Sequence, residues 1–118
     1  DDARELLKFL ESSDEGVRSW AWLRTGDLVE HGVLTPEEVK ERKRYFLELL
    51  ESKDEDVRAR AWDHVIRLLD YGLITRDDAR ELLKFLESSD EGVRENAKRV
   101  IRKLIKRGVL TRLDLFGL

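Results

Sequence analysis

Apolar residues recur along this chain at helical spacing. Val57, Ala61, Val65, Leu68 and Leu69 fall at i, i+4, i+8, i+11 and i+12, one stripe of a 3.6-residue helix. The stripe returns in Val93, Ala97, Ile101, Leu104 and Ile105. A shorter apolar block precedes each helix of this kind: Leu6, Leu7, Phe9 and Leu10; Phe46, Leu47, Leu49 and Leu50; Leu82, Leu83, Phe85 and Leu86. Each unit therefore reads as helix A, a short SxDE turn, helix B and a Gly-containing end. Asp14, Asp54 and Asp90 suit N-caps of helix B, and Gly32, Gly72 and Gly108 suit the C′ position after it. Thr35 before Pro36 predicts a capped helix start with proline at its first position.

The units are copies. Residues 1–18 and 77–94 are identical, at an offset of 76, and a divergent copy lies between them. Aligning Val17, Val57 and Val93 gives periods of 40 and 36. The four extra residues lie in the middle unit's PEEVKERKRYFLELLE, where they are expected to lengthen helix A by about one turn while nearly keeping its buried face. A single helix pair cannot bury both stripes, whereas stacked pairs can. The expected fold is all-α: one domain, an α-solenoid of three stacked antiparallel helix pairs, with units 1–34, 35–74 and 75–110. Leu113, Leu115, Phe116 and Leu118 in the tail 111–118 begin a fourth helix A, expected to cap the open end or dock a neighbouring copy. Natural repeats drift on their exposed faces, so the eighteen-residue identity points to recent duplication or to deliberate copying of one unit by design, of which design is preferred.

Asp54, Val57, Arg58 and Ala61, in a helix pair of nearly forty residues, resemble HEAT-type and armadillo-like α-solenoid repeats across almost the whole chain. The resemblance implies a curved superhelix whose second helices line an inner face that grips a protein partner. It implies no catalytic residue.

Composition narrows the function classes. Charged residues make up 42% of the chain but nearly cancel to a net charge of −3, which gives no general attraction to nucleic acid or membrane. The apolar runs are far shorter than the roughly 20 residues of a membrane span. Cysteine is absent, which removes disulfides, thiolate metal sites and cysteine nucleophiles and fits a cytoplasmic origin if the protein is natural. Methionine and glutamine are also absent and Asn96 is the only asparagine, a composition expected of a heat-loving organism or a design in that style. The start at Asp1 is expected of a trimmed chain.

Against the template of the other units, helix B of the first unit departs most. Trp20, Leu23, Arg24, Thr25, Gly26 and Asp27 stand where the middle unit has Arg60, Asp63, His64, Val65, Ile66 and Arg67. Helical geometry at about 100° per residue sets Trp20, Leu23, Gly26 and Asp27 on the arc away from the core stripe. An exposed Trp and Leu one turn apart mark a contact surface, so Trp20, Leu23, Arg24, Gly26, Asp27 and His31 form the candidate binding face for a protein or peptide. The alternative is a designed small-molecule or catalytic pocket around Trp22, Thr25, Trp62 and His64. Structural readings stand beside both: Gly26 as a kink or as space filled by Trp22, and Trp22 and Trp62 as cover for the seams between units. Asp27 and His31, one turn apart, offer an oriented imidazole or an ordinary helix-surface pair, and Asp27 is placed to meet Arg67 across the stack. Neither histidine has a His partner at i+4, so no metal is expected. No cofactor is expected, and the serines at the turns read as caps. The sequence reading is a non-enzymatic binding or scaffold module.

Overall fold

Capping chemistry sets the boundaries of the helices. The computed structural model describes residues 2–117, and among these it contains nine α-helices and no strand: α1 (Asp2–Phe9), α2 (Glu15–Trp22), α3 (Thr25–Glu30), α4 (Pro36–Lys40), α5 (Lys43–Leu47), α6 (Glu55–Asp70), α7 (Arg76–Glu81), α8 (Glu91–Lys106) and α9 (Arg112–Phe116). Two 3₁₀ segments, Glu48–Glu51 and Leu82–Glu87, follow α5 and α7. The fold is all-α. Asp14, Asp54 and Asp90 each accept the backbone N–H three residues on, opening α2, α6 and α8. Thr35, Thr75 and Thr111 form reciprocal capping boxes with Glu38, Asp78 and Asp114. Gly32, Gly72 and Gly108 take φ of 75°, 74° and 77°, and each closes the preceding helix with the paired backbone bonds of a Schellman motif.

Two long helices of the sequence reading are broken in the structure. The expected single helix B of the first unit is split at Leu23 and Arg24 into α2 and α3, whereas α6 and α8 run unbroken for 16 residues each. The lengthened helix A of the middle unit is divided into α4, α5 and a 3₁₀ turn, so the insertion is absorbed by a break at Glu41 and Arg42. Arg42 and Lys43 at this break make contacts distant in sequence, to Glu11 at 2.8 Å and Asp78 at 2.7 Å. The basic stretch Lys40–Arg44 is therefore partly a set of cross-links between units.

The core runs through all three units. Trp22, Phe46, Leu50, Trp62, Val65, Leu82, Ala97 and Leu104 are buried in one continuous cluster. Trp22 donates its indole N–H to the Leu10 carbonyl at 3.0 Å, and Trp62 donates likewise to Leu50 at 2.9 Å, so each ring is buried with its polar atom satisfied. The Trp22 ring packs on Phe46 and the Trp62 ring on Phe85, both at 5.5 Å between centroids. Arg18, Arg58 and Arg94 repeat one contact, donating Nη1 to the carbonyls of Ser12, Ser52 and Ser88 at 2.8, 3.1 and 2.6 Å. These bonds lock the turn between the A and B helices.

Arg58 also decides the role of one glycine. Its guanidinium is buried, donates Nε to Asn96 at 2.7 Å, and lies where a Cβ at Gly92 would stand. Gly16, in the same sequence context, has no such neighbour; at both sites a Cβ would meet the side chain of the capping Asp at 3.2 Å. Because that contact is shared, only Arg58 distinguishes the two. Gly92→Ala is expected to cost about 1–2 kcal/mol more than Gly16→Ala, read as a difference in urea midpoint. Equal effects would remove the argument.

Candidate functional site

The helix break after Trp22 follows from side-chain chemistry. Arg24 donates Nη1 to the Trp20 carbonyl at 2.7 Å, and its guanidinium lies over the Trp20 ring at 4.3 Å. Thr25 donates its hydroxyl to the Trp22 carbonyl at 2.8 Å. Both bonds serve carbonyls that the break takes out of the helical ladder. The chain thus leaves α2 with Trp20, Leu23 and Arg24 toward solvent and Trp22 and Thr25 inside.

Beside them a cleft of about 420 Å³ opens between α2 and the start of α6, lined by Ser19, Trp20, Leu23, Arg24, Val57 and Arg60, with Asp54 and Asp56 also at its wall. Mismatch at this seam accompanies the opening. Between the middle and third units Arg58 Nε finds Asn96, but in the unit pair before it the place of Asn96 is held by the cation Arg60, and the buried Nε of Arg18 is left without a partner. Across α6 and α8 the matching face is closed by Asp63–Arg99 at 2.8 Å and Asp70–Arg107 at 2.6 Å. At the first seam the Asp63–Arg99 rung is lost because Leu23 stands in the position of Asp63, and the Asp70–Arg107 rung is replaced by the hydrogen bond from Tyr71 to Glu30.

Six residues were expected to share one outer face, and the structure divides them. Trp20, Leu23 and Arg24 line the cleft. Gly26 is buried, not outward: the ring of Tyr71 lies against its backbone where a Cβ would overlap it, and Tyr71 donates its hydroxyl to Glu30 at 3.2 Å. The close approach that the glycine permits is thus made by the chain's own Tyr71. Asp27 and His31 are exposed, but His31 Nδ1 lies 2.7 Å from the Asp27 backbone carbonyl, not the carboxylate, so the Asp side chain does not orient the imidazole. Tyr71 with Glu30 links the two elements in place of the expected Asp27–Arg67 pair.

The alternative set lies inside the protein. Trp22, Thr25 and Trp62 are buried and hydrogen-bonded to backbone carbonyls, in the core and not around an opening. His64 is buried at the seam with Nε2 unpartnered, and its pKa is lowered to about 4. Burial is the leading cause and the charge of Arg67 adds to it; the Trp22 carbonyl and Asp27 oppose them. The ring is neutral at pH 7. In the tail, Leu115 packs on the core while Leu113 and Phe116 are exposed; Leu118 lies outside the described residues.

Gly16, Asp54, Asp56, Val57 and Arg60 are among the cleft residues that sequence reasoning missed. The signal for Arg60 was available in its alignment with Asn96, which shows a cation replacing an acceptor. Among the described residues no group of three or more His, Asp or Glu is placed to hold a metal ion, and no helix is long and apolar enough to cross a membrane. The chain matches no protein-family model, no curated protein and no solved structure.

Proposed function

We propose that the chain is a three-repeat α-solenoid of HEAT-like type that works as a non-enzymatic binding or scaffold module, taking a partner peptide in the cleft between α2 and α6. The recurrence of the Trp–carbonyl, Arg–Ser and Schellman contacts at matching positions supports the repeat reading, as does the elongated 46 × 28 × 18 Å shape. The cleft itself carries the functional reading. Its wall joins the half-exposed Trp20 and Leu23 to Arg24, Arg60, Asp54 and Asp56, which suits a short peptide with an apolar anchor between charges of both signs.

Panning a random peptide library on the whole protein tests this. Enriched peptides are expected to bind wild type and to lose about tenfold or more in affinity against a Trp20→Ala/Leu23→Ala variant of unchanged circular dichroism. Absence of enrichment, or peptides indifferent to both substitutions, would sink the reading.

A further inference from the structure

The identical residues 1–18 and 77–94 provide an internal comparison of one surface, covered and uncovered. Phe85 is 7% exposed and Val93 2%, whereas their counterparts Phe9 and Val17 are 39% and 38% exposed. The cover over the third unit comes from α6. Trp62 packs edge-on against Phe85, and the Arg58 guanidinium, four residues before Trp62, fills the space over Gly92. Over Gly16 that space is open, limited only by the side chain of Asp14.

We propose that the upstream edge of the first unit, centred on Phe9, Gly16 and Val17, is a docking site for a partner α-helix that carries an arginine and, four residues later, a large aromatic. The occupant is read from α6, which meets the same side chains within this molecule. Where Asn96 accepts from Arg58, the first unit has Trp20, whose ring already carries Arg24 at 4.3 Å and so does not take the place of that acceptor. Trp20 meets Phe9 at 6.4 Å and gives it part of the cover that Trp62 gives Phe85, yet Trp20 is itself 45% exposed. A second copy fits the edge less well: its α6 is in its own core, and its α8 has Lys98 in the place of Trp62. Its α9 also occupies the position a following helix A would take.

A fluorescein-labelled peptide of residues 54–70 is the probe, titrated with the whole protein and read by anisotropy. Saturable binding is expected, weakened about tenfold or more by Arg58→Ala or Trp62→Ala in the peptide. Phe9→Ser and, separately, Gly16→Leu in the protein are expected to weaken it comparably, with circular dichroism confirming that each variant is folded. No saturable binding, or binding insensitive to these changes, overturns the proposal. So does a concentration-dependent dimer of the unliganded protein that Phe9→Ser dissolves, which would give the edge to a second copy.

Discussion

Trp62→Ala is expected to lower the stability of the protein by about 3–5 kcal/mol, the largest effect of any substitution considered. The ring is fully buried, it joins the core of the middle unit to Phe85 of the third, and its N–H satisfies the Leu50 carbonyl. Truncation opens a cavity at the seam and leaves that carbonyl without its donor, two losses that add. Trp20→Ala removes a ring of the same size from a half-exposed place and is expected to cost about 1 kcal/mol or less. Urea unfolding followed by circular dichroism measures both. Comparable losses would show that burial does not separate the two tryptophans.

Acidification from pH 7 to 4.5 is expected to destabilise the fold through His64. An unfolded histidine titrates near 6.5, whereas in the folded protein the His64 pKa is lowered to about 4. Between these values the unfolded chain binds the proton and the folded chain does not, so stability falls as pH drops from 6.5 toward 4 and is unaffected by this group above 6.5. Discounted for solvent screening at the seam, the loss is about 2 kcal/mol. The carboxylates of Glu38 and Asp114 are held below their ordinary values by the backbone N–H groups of Thr35 and Thr111, so their contributions are intact over most of this range. Replacing His64 with Val, the residue at the matching position 100, removes both the titration and the unpartnered Nε2. The variant is expected to be more stable at pH 7 by about 1 kcal/mol and nearly insensitive to pH between 6.5 and 4.5. A wild-type profile that stays flat over that interval would contradict the seam placement of the ring.

The candidate site was legible in part. Comparing aligned positions singled out Trp20, Leu23 and Arg24, because a large apolar side chain in a polar column is visible without coordinates. The same comparison misplaced Gly26, since a helical projection assumes an unbroken helix and sees only one element at a time. Tyr71, 45 residues away, is what requires the glycine. Asp27 and His31 were expected as a side-chain pair, but the imidazole instead meets a backbone carbonyl at the end of α3. The end of α3 at Gly32 was legible in the sequence, but which acceptor the ring would take there was not.

What the sequence by itself determined is local. Asp and Thr N-caps, capping boxes and C′ glycines act within a few residues, so their spacing fixed the outer bounds of the helical segments and the apolar stripes marked which faces can be buried, whereas the breaks before α3 and α5 carry no such signal. The tertiary structure decided what the same letters become in different surroundings. Residues 2–9 form an α-helix, while within the identical stretch of the third unit the helix gives way to 3₁₀ turns at Leu82–Glu87. Phe9 is left half-open where Phe85 is buried under Trp62. Local preferences are equal in the two copies, so the difference comes from the neighbour: α6 packs on one copy, and none of the described residues takes its place on the other.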